Sequence, residues 1–229
     1  MTADTDTTAV YRDTRLRVGA LVAGAGPPEV VGERPVPACP QWKVRDVVAH
    51  LAGVCDDILA GRLDGVATDP WTAAQVERRA GHPLDHIVAE WNELGARVED
   101  TFGPGGAPAQ LVFDEVTHEQ DLRGALSAPG GDDSAVAVAL GFVVPGFGAI
   151  VAGAGLGALR VRAGDGDWDL GEGEPAATLT GTPLDVLRSL SGRRSGPRFA
   201  ALDWGTADPE PWLPLFTFGP FRPPSAPVE

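Results

Sequence analysis

The sequence predicts an α+β protein in which a helical bundle is followed by a small α/β domain. Apolar residues recur at helical spacing through the first 130 residues, and Gly- and Pro-rich stretches separate the helical segments. Further along, short segments alternate between apolar and polar residues, as β-strands do. The expected boundaries are residues 9–130 for the bundle, 134–208 for the α/β domain and 209–229 for a Pro-rich tail.

The first domain is expected to contain five helices after a disordered terminus at residues 1–8. Proline and glycine make residues 24–40 a long loop between the first two helices. Pro83 suits the first position of a helix, where its missing N–H costs nothing. The predicted helices span residues 9–23, 42–61, 69–79, 83–102 and 109–126.

The second domain opens with an apolar, small-residue-rich segment at residues 135–159. This segment is long enough to cross a bilayer, but it has no basic flanks or aromatic anchors, which favours a buried helix. Pro183 then begins a helix that Thr182 caps. Three strands are predicted before that helix, the first two as a hairpin, at residues 159–163, 168–171 and 177–181.

Charge and targeting signals narrow the functional classes. The formal net charge of −14 and the pI of about 4.6 argue against a nucleic-acid surface and give no attraction to anionic lipid. The N-terminus is polar and acidic without an apolar core, so we expect a cytoplasmic protein. Cys39 and Cys55, the two cysteines, are therefore expected to be buried thiols rather than a disulfide.

One helical segment carries a set of metal-ligand residue types on a single face. Asp114, His118 and Asp121 stand at positions i, i+4 and i+7, which lie within roughly 40° of one another around an α-helix. His50 stands alone among apolar neighbours in an earlier helix. One carboxylate and two imidazoles that meet from two helices would form a divalent-metal site inside a bundle.

Each of these residues also has a simpler explanation. His50 and His118, taken singly, fit satisfied core histidines. Asp121 could orient the His118 imidazole, bind the metal itself, or pair with Arg123 or Arg45, and the orienting role is favoured.

Other titratable residues near these helices are expected to be less important. Glu115 and Glu119 point about 100° or more away from the Asp114 face, which predicts a solvated flank. Glu115 remains an alternative ligand. His82 and His86 are also four residues apart, but they lie at a helix start, where a capping or solvent-facing role is expected.

Several segments together resemble a known family. Residues 42–51 (WKVRDVVAHL), 71–79 (WTAAQVERR) and 117–126 (THEQDLRGAL) are similar to the mycothiol-dependent maleylpyruvate isomerase family, a branch of the DinB-like metal-binding four-helix bundles. The resemblance covers about residues 9–130. It continues more weakly at residues 178–182 and 192–193, which are similar to the small α/β domain of that family.

The resemblance implies a divalent metal, usually zinc, held by His50, Asp114 and His118. The better-known enzymes of the family have Glu where this chain has Asp114, so the ion would lie closer to that helix or bind more weakly. It also implies an arginine from the C-terminal domain, which matches Arg193, with Arg194 as the alternative. Members are common in actinobacteria, and mycothiol or a similar thiol would be the cofactor.

The expected function is therefore a metal- and thiol-dependent isomerase or S-transferase that acts on a small electrophilic substrate. An arginine would hold a carboxylate of that substrate. A non-catalytic divalent-metal-binding module and a scaffold with a decayed site are the alternatives. The expected partners are the substrate and the thiol, without nucleic acid or membrane, in a monomer or homodimer.

Overall fold

A computed structural model describes residues 5–216 of the chain, and these residues form two compact units that divide after Asp132. The first unit is helical, and the second combines helices with a three-stranded sheet. The predicted α+β fold class, a bundle followed by a small α/β domain, is therefore confirmed.

The helices of the first unit follow the apolar periodicity of the sequence. They are α1 (Thr7–Gly24), α2 (Pro28–Val31), α3 (Val44–Ala60), α4 (Asp69–Glu77), α5 (Leu84–Phe102) and α6 (Ala109–Leu126). The short α2 was not predicted, because it is a single turn within a Pro-rich loop. Helix α1 begins earlier than predicted, because the Asp6 side chain accepts a hydrogen bond from the Ala9 backbone N–H at 2.9 Å.

Four of these helices form the bundle. Helix α1 packs against α5 and α6, and α3 packs against the same two helices from the other side. The shorter α4 lies on α3. Helices α3 and α6, which carry His50 and His118, are therefore direct neighbours.

A buried ion pair joins α1 to α5. The Arg15 guanidinium donates to Glu99 Oε1 at 2.6 Å and to Asn92 Oδ1 at 2.7 Å. Arg15 is only 4% exposed, so these partners are needed to offset the desolvation of its charge. Gly95 of α5 makes room for this arginine, since a Cβ there would lie 2.3 Å from Arg15 Cδ.

The second unit is built around a small sheet. The antiparallel hairpin of the first two strands was predicted, and the third strand lies parallel to the first, which gives the order β2-β1-β3. Thr182 caps α9 as expected, because its hydroxyl accepts from the Asp185 N–H at 3.1 Å. The elements are α7 (Asp133–Gly146), α8 (Gly148–Gly153), β1 (Ala158–Ala163), β2 (Gly166–Leu170), β3 (Pro175–Gly181), α9 (Pro183–Leu190), α10 (Gly196–Ala200) and a 3-10 helix (Leu213–Phe216).

The apolar segment at the start of this unit passes a length and composition test for a membrane span. The most apolar 18-residue stretch of Asp133–Gly153 has a mean hydropathy of 2.3, and 44% of this stretch is buried within the protein. The segment is divided into α7 and α8 next to Pro145, and α7 packs on α9 and β2. A core helix of a soluble protein passes the same test, and this packing agrees with the predicted buried helix.

The Pro-rich tail lies only partly within the described residues. Trp212 and Phe216 are 5% and 1% exposed, so the start of the tail packs into the second unit. The remainder, residues 217–229, lies outside the described residues, as do residues 1–4 of the terminus that was expected to be disordered.

We expect Gly95→Ala to lower the free energy of unfolding by about 1–3 kcal/mol, because the added methyl group displaces the buried Arg15 side chain. Gly124→Ala is the matched control. Among residues 5–216, no atom beyond the local helix backbone lies within 4 Å of the place that its new Cβ would take, and the exposed helical site gains about 0.5–1 kcal/mol of helix propensity. Urea unfolding of both variants checks this, and a loss of stability in Gly124→Ala alone would contradict it.

Candidate metal centre

The three predicted metal ligands lie together between α3 and α6. The Nε2 atom of His50 is 3.3 Å from Asp114 Oδ2, and the Nε2 atom of His118 is 3.8 Å from Asp114 Oδ1. The two imidazole ring centroids are 5.0 Å apart. One ligand atom from each of the three residues lies within 4.8 Å of the others, so a single ion between them could reach all three.

The three candidate ligands differ in exposure, which decides from which side a small molecule could reach the site. The side chains of His50 and His118 are 5% and 6% exposed, whereas that of Asp114 is 32% exposed. The site is therefore closed on the imidazole side and open beside the carboxylate. Three protein ligands with an open side are the arrangement of catalytic rather than structural metal sites.

Asp121 lies behind the His118 ring. Its Oδ2 atom is 3.0 Å from His118 Nδ1, and its side chain is fully buried. A carboxylate only accepts hydrogen bonds, so Nδ1 carries the proton and Nε2 is left to face Asp114. Burial lowers the pKa of His118 below its ordinary value of 6.5, although Asp121 and Asp114 oppose the shift.

Most of this bundle matches a known protein family model. The family model described as the mycothiol maleylpyruvate isomerase N-terminal domain matches residues 11–112. Residues 11–112 are therefore similar to the N-terminal domain of mycothiol maleylpyruvate isomerase. The matched residues include His50 and end just before Asp114 and His118.

Solved structures resemble the fold of the chain as a whole. A crystal structure of a histidine-to-alanine mutant of the mycothiol-dependent maleylpyruvate isomerase has a TM-score of 0.54 and 11% sequence identity. Another crystal structure of that enzyme has a TM-score of 0.51 and the same identity. Each match covers 81% of this chain and 88% of the other, which establishes a common fold. No curated protein matches the sequence.

Two tryptophans of the first unit contact the imidazoles. The Trp42 ring lies 5.3 Å from the His50 ring and 5.7 Å from the His118 ring, centroid to centroid. The Trp71 ring meets His50 edge-on at 6.5 Å. In the sequence analysis both tryptophans only formed part of the motifs that resemble the family. Their contacts with the imidazoles were not predicted, although Trp42 stands eight residues before His50.

A polar chain that sequence reasoning missed lies behind His50. The Nδ1 atom of His50 is 2.7 Å from Gln75 Oε1, and Gln75 Nε2 donates to Asp57 Oδ2 at 2.8 Å. Gln75 and Asp57 are 0% and 1% exposed. Gln75 occurs within a motif of the family resemblance, but nothing in its spacing indicates that it reaches His50.

The two cysteines are both thiols, as predicted, but they differ in burial. Cys55 is buried against the Tyr11 hydroxyl at 3.0 Å, and burial raises the pKa of its thiol to about 12. Cys39 is only partly buried, contrary to expectation, because it lies in the loop before α3. Its Sγ atom is 3.4 Å from Asp121 Oδ2, which places it at the edge of the site.

The prediction that Glu115 and Glu119 form a solvated flank is wrong, because both residues are 1% exposed. Helix α6 packs against both α1 and α3, so its sides as well as its ligand face are covered. Glu119 is neutralised by Arg17 at 3.0 Å and by Arg123 at 2.9 Å. Neither carboxyl oxygen of Glu115 has a hydrogen-bond partner among residues 5–216, and burial raises its pKa well above 4.5.

The second histidine pair stays apart from the site, as predicted. His82 and His86 are exposed at the start of α5, and their rings stack at 5.1 Å. Neither residue contributes to a candidate ligand group among the described residues.

The predicted substrate-binding arginine belongs to the second unit, just after α9. Arg193 is partly exposed, and its Nη1 atom donates to the Ser191 carbonyl at 2.7 Å. The alternative, Arg194, is 7% exposed and is paired with Asp185 at 3.0 Å. Arg193 is therefore the more accessible of the two candidates.

We expect Glu115→Gln to gain thermal stability relative to the wild type as pH rises. Burial keeps Glu115 protonated in the folded state, while the unfolded chain releases that proton above its ordinary pKa of 4.5. Each pH unit above this value therefore costs the wild type about 1.4 kcal/mol until the folded pKa is reached. Melting temperatures of both proteins between about pH 5 and 8 measure the growing difference.

Glu93→Gln is the control for this pH series, because Glu93 is exposed on the neighbouring helix α5. It removes the same carboxyl group from an exposed position, so an equal pH-dependent gain in both variants would show that the gain does not come from burial. A difference for Glu115→Gln that stays constant with pH would instead show that Glu115 is ionised in the folded protein.

Proposed function

We propose that this protein is a divalent-metal- and thiol-dependent enzyme, a mycothiol-dependent isomerase or thiol S-transferase that acts on a small electrophilic substrate. The observation that supports this most directly is the convergence of His50, Asp114 and His118 within 4.8 Å in a bundle of this family. Two imidazoles and one carboxylate are a donor set that suits zinc and leaves coordination positions open.

His50, Asp114 and His118 would hold a divalent ion, which would lower the pKa of a bound thiol so that the thiol is deprotonated at neutral pH. Within the chain, Asp121 holds the His118 ring so that Nε2 faces the site. The Trp42 ring stacks on His118 and lies tilted against His50. The open side beside Asp114 is the route by which a thiol and a substrate reach the centre.

The family resemblance assigns Arg193 to substrate binding. Arg193 would donate to a carboxylate of the substrate, since a guanidinium offers two parallel N–H groups with matching geometry. This assignment comes from the family resemblance and is supported by the partial exposure of Arg193, in contrast to the buried Arg194.

Asp114 distinguishes this centre from that of the better-known enzymes of the family, which have glutamate at the corresponding position. The aspartate side chain is one methylene shorter than glutamate, so an ion would lie nearer to α6 or bind less tightly. Asp114→Glu is therefore expected to retain the metal.

We expect purified wild-type protein supplied with zinc to contain about one ion per chain, and His118→Ala to lose it, because His118 supplies one of the three ligands. Elemental analysis of both proteins provides the measurement. His86→Ala is the matched control, since it removes an exposed histidine outside the site. Unchanged metal content in His118→Ala would refute the centre, and a metal-free wild type would favour the scaffold alternative.

We expect the zinc-loaded protein to isomerise maleylpyruvate, the substrate named for the structural relatives, only when mycothiol is present, or to add a small electrophilic substrate to the mycothiol sulfur faster than the same mixture reacts without the protein. Arg193→Ala should lower kcat/KM by about 10–100-fold, the cost of about one or two hydrogen bonds to a charged group. Arg162→Ala is the control, because Arg162 is an exposed arginine of the same unit that pairs with Asp167.

Turnover without thiol would contradict the proposed chemistry. Metal binding without any effect of added thiol on the site would support a non-catalytic metal-binding module instead.

A further inference from the structure

The Gln75 side chain of α4 is a buried link between two residues of α3, His50 and Asp57. Its amide oxygen is 2.7 Å from His50 Nδ1, and its amide nitrogen is 2.8 Å from Asp57 Oδ2. The other oxygen of Asp57 accepts from Arg62 Nε and Arg78 Nη2, both at 2.7 Å. Burial opposes the charge of Asp57, but the hydrogen bonds from Gln75, Arg62 and Arg78 outweigh it and lower the pKa.

The order of donors and acceptors along this chain has one solution. The Asp57 carboxylate can only accept, so the Gln75 amide must turn its NH2 group to Asp57 and its carbonyl oxygen to His50. A carbonyl oxygen also only accepts, so Nδ1 of His50 must carry the ring proton. With Nδ1 protonated, Nε2, which faces Asp114 at 3.3 Å, is the nitrogen that could offer its lone pair to an ion between His50 and Asp114.

The close approach of Gln75 depends on a glycine in α3. A Cβ on Gly53 would lie 2.4 Å from Gln75 Cβ and 2.6 Å from Gln75 Cγ. Gly53 is one turn beyond His50 on the same helix. The absence of a side chain there is what lets α4 place its amide beside the imidazole.

We propose that Gln75 is a positioning residue of the metal centre, and that Asp57 sets its amide so that His50 is held in the tautomer that can bind metal. This inference rests on the proposed metal function. It also makes a statement about the metal-free protein, in which the tautomer of His50 can be observed directly. Outer partners of metal-bound histidines typically change metal affinity by about 10–100-fold when they are removed.

Asp57→Asn tests the inference without changing His50 or Gln75, because Asp57 contacts the Gln75 amide only at its far end. Arg62 and Arg78 hold the oxygen on their side, so the introduced asparagine turns its NH2 group toward Gln75. The Gln75 amide must then rotate and present its own NH2 group to His50. We expect the proton of His50 to move from Nδ1 to Nε2 and the zinc affinity to fall by about 10–100-fold.

Asp56→Asn is the matched control. It removes the same charge from the neighbouring residue of α3, which binds the same arginine through Arg62 Nη2 at 2.6 Å. Asp56 is not hydrogen-bonded to Gln75 Nε2, which donates to Asp57. Its variant should keep both the tautomer and the zinc affinity of the wild type.

Two measurements separate this inference from the proposed function. Nitrogen-15 shifts of the imidazoles in metal-free protein report the tautomer of His50, and competition with a chromophoric chelator reports the zinc affinity. An unchanged tautomer and affinity in Asp57→Asn would overturn the role of Gln75, while leaving the metal centre intact. A wild type that binds no zinc would instead overturn the proposed function, whatever the tautomer.

If Asp57→Asn does not fold, Gln75→Met decides the question. Methionine has a similar length but offers His50 no strong acceptor, so both tautomers should be populated and the zinc affinity should fall. A single tautomer with Nδ1 protonated, together with wild-type affinity, would overturn the inference.

Discussion

Helix α6 lies in the interior of the first unit with its polar side chains buried, and the rest of the unit depends on how these side chains are satisfied. A buried charge without a partner costs several kcal/mol, so each partner fixes the position of the element that carries it. Glu119 forms ion pairs with Arg17 of α1 and Arg123 of α6. The side-chain amide of Gln120 donates to the Gly130 carbonyl at 3.3 Å. The polar interior thereby holds α6 in register against its neighbours.

The helices and the shared face of Asp114 and His118 could be predicted because both follow from local periodicity. A spacing of four residues places Asp114 and His118 on one face whatever surrounds the helix, and the apolar neighbours of His50 show which side of α3 is buried. The burial of Glu115 could not be predicted in this way. Periodicity compares the faces of one helix, and it fails for a helix that is covered on nearly all sides.

The contact between Gln75 and His50 escaped sequence reasoning for a different reason. Residues 25 positions apart meet only because α4 packs closely on α3, and the closeness is set by one glycine whose role is steric rather than periodic. The two imidazoles therefore differ in the residue that is hydrogen-bonded to Nδ1. His118 is backed by a carboxylate, which strengthens a histidine as an electron donor, whereas His50 is backed by a neutral amide.

The position of Trp42 makes its intrinsic fluorescence sensitive to the state of the two imidazoles. Its indole ring contacts both imidazoles, at 5.3 Å and 5.7 Å between centroids. Protonation of either imidazole, or a paramagnetic ion between them, would quench the fluorescence of this indole more than that of tryptophans that do not contact the imidazoles. The state of the centre can thus be followed by light emission, without a dye or a label.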